Sequence, residues 1–144
     1  MNRPMIWMLA GLVVVSMMTA ACGSPASKPA AEAAVTVDKI EGSDLKKLTL
    51  SEHAAQRLGL TTTEVSASGS ETTVPYSAIL YDKKGATWAY TNPEGLVFVR
   101  AEVTVDDVAR GVAYVDAGPD AGTKVVTVGA AELWGVETGV GGGH

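Results

Sequence analysis

The sequence predicts a mainly β fold, a small antiparallel β sandwich or roll with one or two short helices. Three observations lead there. Short runs rich in β-branched and aromatic residues recur along the chain, the clearest being LVFVRAEVTV at 96–105 and VVTV at 125–128. Turn signals separate them: DKKG at 82–85, NPEG at 92–95 and GPDAG at 118–122. Helical patterning is confined to two short stretches, SEHAAQRLG at 51–59 and AAELWG at 130–135. Strand-length apolar runs at regular spacing with turn residues between them are the pattern of an all-β domain.

The N-terminus precedes that domain and is of a different kind. Arg3 supplies a positive start, and residues 5–18 form an uncharged apolar run of about signal-peptide length. Thr19, Ala20 and Ala21 then lead into Cys22, followed by Gly23 and Ser24. This order resembles a bacterial lipoprotein signal, which implies cleavage before Cys22 and lipidation of its thiol. Thr19 stands where such signals usually carry Leu. Two alternatives are ordinary cleavage after Ala21 and an uncleaved anchor, although the run is shorter than the ~20 residues that cross a bilayer. Cleavage before Cys22 removes Arg3, so the basic count falls from 11 to 10 and the net charge moves from −5 to about −6. The predicted organisation is a signal peptide at 1–21, a flexible tether at 22–45, a β domain at 46–137 and a flexible tail at 138–144. The tether follows from its Ala, Pro, Ser and Lys content, which buries too little apolar surface to offset the entropy of ordering it.

Within the domain the elements follow in order. Leu48 and Leu50 begin a half-buried strand. Ser51 is a helix N-cap with Glu52 in the first turn, and Gly59 is the C-cap of a helix of about two turns. His53 falls on the outer side of that helix. A Thr-rich strand covers 60–65 and a loop 66–69. One strand is predicted over 72–81, with Pro75 at its start, at an edge or at a bulge, because proline cannot donate to a ladder. DKKG is a hairpin turn with Gly85 in the left-handed region, and Thr87 to Tyr90 return from it with Trp88 and Tyr90 on one face. In 96–105, Val97, Val99, Ala101, Val103 and Val105 share one face. Leu96, Phe98, Arg100 and Glu102 share the other, apolar at one end and charged at the other. Residues 106–111 read as a polar turn and 112–114 as a short strand. The strand at 125–128 then leads to one helical turn that Gly135 is expected to stop.

Composition narrows the chemistry. A net charge of −5 without a Lys/Arg cluster argues against nucleic acid as a partner. A single cysteine excludes an intramolecular disulfide and a thiolate metal cage. Ser51 and His53 stand two apart at a helix start, so they face different ways and form no nucleophile–base pair. His144, Asp106, Asp107, Asp116 and Asp120 have no metal-loop spacing, and all five methionines lie in the leader. No enzyme activity, cofactor or metal is expected.

The segments VPYSAILYDKKGATWAY, FVRAEVTV and GPDAGTKVVTVGAAELWG resemble the C-terminal part of periplasmic adaptor subunits, the membrane fusion proteins of tripartite efflux and secretion systems. LTLSEHAAQRLGLTTTEV resembles the strand and helix with which the N-terminal part of that family joins the same membrane-proximal domain. The family's barrel, lipoyl-like domain and helical hairpin lie between those two parts. Here eight residues separate Val65 from Val74. Pro119 and Thr123 also depart from the family's usual Leu and Asp. The resemblance implies a lipid-anchored accessory protein on the extracytoplasmic face of a bacterial cell membrane, adaptor-like, docking on a membrane transporter or efflux complex. Without the hairpin, contact with an outer-membrane channel is not implied. Leu96, Phe98, Arg100 and Glu102 are the expected contact face, since docking surfaces often combine an apolar centre with charge. The alternative is a cell-envelope lipoprotein that binds a small ligand in its β domain.

Overall fold

A computed structural model describes residues 33–140. The predicted leader, Cys22 and residues 141–144 lie outside the described residues. The described residues belong to one compact unit.

The β domain reaches further toward the N-terminus than expected. Strand β1 (Val35–Lys39) lies inside the stretch predicted as tether and pairs antiparallel with β2 (Lys46–Leu50), from Val35 opposite Leu50 to Lys39 opposite Lys46. Val35 turns inward against the core beneath, and that contact orders a segment whose composition alone argues for none. Helix α1 (Glu52–Leu58) forms as its caps require. The Ser51 hydroxyl accepts from the Ala54 N–H at 3.2 Å, and Gly59 ends the helix at φ 61°.

Strand β3 (Thr61–Glu64) is followed after Val65 by β4 (Ser66–Ser68), where a loop was expected, and β4 forms a hairpin with β5 (Glu71–Pro75). The single strand predicted over 72–81 is in three pieces: β5, a 3-10 turn (Tyr76–Ala78) and β6 (Leu80–Tyr81). Pro75 closes β5 rather than opening it. It is the last residue in register with the neighbouring strand, and the chain turns away directly after it.

The hairpin turn at 82–85 forms with Gly85 at φ 86° and leads into β7 (Thr87–Glu94). Strand β8 (Val97–Ala109) runs four residues beyond its predicted end. Asp106 and Asp107 stay exposed on the outer side of the strand, and a bulge around Val105 bends it. The true turn is Arg110–Gly111, where both residues take positive φ as a two-residue hairpin demands. Strands β9 (Val112–Ala117) and β10 (Lys124–Val128) follow, then helix α2 (Ala130–Thr138). Helix α2 does not stop at Gly135. A glycine inside a helix costs about 1 kcal/mol, offset by what the second turn gains through the core contacts of Val136 and the buried, paired Glu137; Gly139 is the actual cap, at φ 78°.

The fold is mainly antiparallel β with two short helices. The main path of the sheet is β3-β10-β7-β8-β9-β5-β4, with β1 and β2 added beside β8 and β6 beside β7. Because β3 and β4 are joined by Val65 alone, the two ends of that path are neighbours in the chain and the sheet curls into a roll. Val65 helps close it, donating its N–H to Thr123 and accepting from Gly122, both at 2.8 Å. The strand carrying the closing segment thus pairs with β3, the strand after α1, and not with the first strand of the domain.

Two cores result, one on each side of β7 and β10. Ala89 and Val125 face the inside of the roll with Val65, Val74, Val103 and Ala113. Their neighbours Tyr90 and Val126 face the other way, into a second core with Leu48, Phe98 and Leu133 beneath α1 and α2. Consecutive residues of a strand point to opposite faces, so a central strand buried on both sides reads as a continuous apolar run.

Candidate functional site

The second core contains one polar cluster, built from four elements. Strand β7 carries Trp88 and Tyr90, and β8 carries Arg100 directly opposite Tyr90 in register. Helix α2 brings Trp134 and Glu137 down onto them, and β2 contributes Lys46. The Tyr90 hydroxyl donates to Glu137 Oε2 at 2.5 Å, and Arg100 Nη2 lies 3.2 Å from Glu137 Oε1. Both carboxylate oxygens are therefore engaged, and Glu137 is only 4% exposed. Lys46 Nζ donates to the Glu137 carbonyl at 2.5 Å, placing a cation at the C-terminal end of α2, where the helix dipole favours it.

The guanidinium carbon of Arg100 lies 4.2 Å from the Trp88 ring centroid and 4.8 Å from that of Trp134. Two indoles and a carboxylate thus surround one cation, with a combined electrostatic gain in place of lost hydration. Arg100 Nε is buried with no hydrogen-bond acceptor. Burial, then the hydrogen bond from its hydroxyl to Glu137, holds the Tyr90 phenol well above its ordinary range, so it is neutral at physiological pH and serves as a donor. Trp88 Nε1 donates to Asp82 Oδ2 at 3.3 Å, while Asp82 Oδ1 accepts from the N–H groups of Lys84 and Ala86. Slight desolvation opposes ionisation of Asp82, but those donors outweigh it and lower its pKa. The turn and the indole are tied together through this carboxylate.

Of the four residues expected to form a contact face, Glu102 alone is open. Phe98 is 2% exposed, Leu96 packs against the core under α1, and the Arg100 side chain is 16% exposed. Only the first part of the even-numbered face of β8, up to Arg100, lies beneath the helices, and its apolar end is core. Cys22 lies outside the described residues. His53 is exposed on α1.

A groove of about 650 Å³ runs along the outer side of the polar cluster, between the 82–85 turn and α2. Tyr81, Lys83, Lys84, Arg100, Trp134 and Val140 line it. The sequence pattern singles out Arg100 on its strand face but does not join it to Trp134 or to the lysines of the turn. The available signal was Arg100 itself, a cation following Leu96 and Phe98 on one strand face. A smaller groove of about 340 Å³ beside Glu71, Asp106, Asp107 and Asp116 is acidic. Among the described residues no three His, Cys, Asp or Glu side chains are grouped to hold a metal ion, and no helix is long and apolar enough to cross a membrane.

Comparison of the chain with protein-family models, curated proteins and solved structures gives no match.

Proposed function

We propose that this chain is a lipid-anchored accessory protein of the bacterial cell envelope, adaptor-like, held at the extracytoplasmic face by Cys22 and docking on a membrane transporter or efflux complex without chemistry of its own. One structural relation supports the reading. Strand β3, which follows α1, runs antiparallel along β10, with Lys124 opposite Glu64 and Val126 opposite Thr62. Segments 48–65 and 118–135, which resemble parts of the two membrane-proximal halves of an adaptor, are thus side by side in one domain, although 59 residues lie between the two paired strands in the sequence. Most of the Leu96–Glu102 face is taken up by the fold, so docking on this reading uses other exposed surface. Tyr76 and Tyr81 are exposed at 41% and 56%, with their hydroxyls 3.4 Å apart, and supply aromatic area of the kind that anchors interfaces.

Mild crosslinking in native membranes, followed by purification through the C-terminus, tests this. Recovery of a transporter subunit with the wild-type chain, lost for Cys22→Ala, is the expected outcome. Recovery of free monomer alone contradicts it. The second reading, a small-ligand-binding envelope lipoprotein, is favoured by a separate observation, the groove beside Arg100.

A further inference from the structure

We propose that the groove between the 82–85 turn and α2 is a binding site for a small amphiphilic anion, an acyl or aryl body carrying one carboxylate. This rests on the ligand-binding reading and is independent of docking on a transporter. The volume, about 650 Å³, is within the range of small-molecule sites. Its apolar wall is made by Tyr81, Trp134 and Val140, residues from both banks. Tyr81 is 56% and Val140 86% exposed, so this wall is apolar surface that the fold itself leaves uncovered.

The charge of the groove sets the sign of the ligand. Lys83 and Lys84 line it, and neither forms an ion pair among the described residues. Arg100 lines it too and carries a buried Nε without an acceptor. Two carboxylates lie nearby, Asp82 in the lining itself and Glu137 beneath it, and both have their oxygens occupied by donors. Asp82 accepts from two backbone N–H groups and from Trp88, and Glu137 is engaged on one oxygen by Arg100 and on the other by Tyr90. Three cations, Lys83, Lys84 and Arg100, thus stand against two carboxylates, Asp82 and Glu137, which leaves the groove a net charge of about +1 on a chain whose net charge is −5. An anion gains there what a cation or a neutral amphiphile does not, and the apolar wall selects for a body larger than acetate.

The site has its own reporter. Trp88 and Trp134, both against Arg100, are the only indoles after Trp7. Tryptophan fluorescence of the full chain carrying Trp7→Phe therefore reads this groove. Titration with decanoate is expected to give a saturable change with a Kd near or below about 1 mM. Decyltrimethylammonium and acetate are expected to give none. Lys83→Glu with Lys84→Glu, both on the exposed turn, is expected to weaken decanoate binding by about ten-fold or more. Tyr81→Ala, also exposed, tests the apolar wall and is expected to weaken binding several-fold. An equal response to decyltrimethylammonium, no saturable response up to about 10 mM, or unchanged affinity in the double lysine variant would overturn the proposal. A response seen only with vesicles containing phosphatidylglycerol would also overturn it, and would make the surface a membrane contact.

Discussion

Arg100 and Glu137 stand 37 positions apart in the chain and 3.2 Å apart in the fold, joined beneath helix α2. Their pairing attaches the C-terminal helix to the centre of the sheet.

Arg100→Met leaves the Glu137 carboxylate buried without its cation and is expected to destabilise the domain by about 2–4 kcal/mol, somewhat less than a fully enclosed pair because the arginine side chain retains some exposure. Arg100→Met combined with Glu137→Met is expected to recover most of that loss, since no uncompensated charge remains. Urea unfolding of the two variants and the wild type provides the comparison. A double variant as unstable as the single one would mean that the pair contributes through its shape and not through its charge.

Tyr90 gives the pH dependence. Its folded pKa is raised above the ordinary value of 10.0. Stability from this group is therefore fully present below pH 10 and falls as pH rises above it, because the unfolded chain ionises there while the folded chain does not. The slope approaches about 1.4 kcal/mol per pH unit for one proton. Tyr90→Phe is expected to lose about 1.5–3 kcal/mol at pH 7, the worth of a hydrogen bond to a charged acceptor, and to show a shallower alkaline slope. Tyr81, also raised, first by its hydrogen bond with Tyr76, adds to the slope in both proteins and does not alter the difference.

Lys46→Met removes the cation at the end of α2. A loss of about 0.5–1 kcal/mol is expected, with faster amide exchange confined to the last turn of the helix. Uniformly faster exchange would show that Lys46 supports the whole domain.

Gly129 joins β10 to α2 at φ 89°, and a Cβ placed there would stand 2.2 Å from Leu60 Cδ2. Gly129→Ala combines a left-handed backbone with a steric clash and is expected to cost at least about 2 kcal/mol. A drop in thermal midpoint measures it. Gly85→Ala, also at positive φ but with no atom within 4 Å of the added Cβ, is the milder control.

Local chemistry made much of the fold legible in the sequence. Ser51 and Gly59 mark the ends of α1, DKKG marks its hairpin, and VVTV marks β10. Legibility failed where the deciding contact is distant. Val35 orders β1 only because a core lies beneath it, and Asp106 and Asp107 look like a turn until Asp107 is seen to pair with Tyr114 and Asp106 to sit in the bulge before it. Gly135 looks like a stop until Leu133 and Glu137 are seen to be buried on either side of it. The site was harder to read for the same reason. The strand period places Trp88 and Tyr90 on one face and Arg100 on one face of β8, but no local signal says that α2 covers both. A face that reads as an open contact surface is in fact the floor under a helix.

Both functional readings require the domain to be held at the membrane by Cys22, and intact mass spectrometry of the mature chain from native cells tests this most directly. A chain that begins at Cys22 and carries the added mass of acyl groups is expected. An unmodified Cys22, or a chain that begins elsewhere, would contradict it.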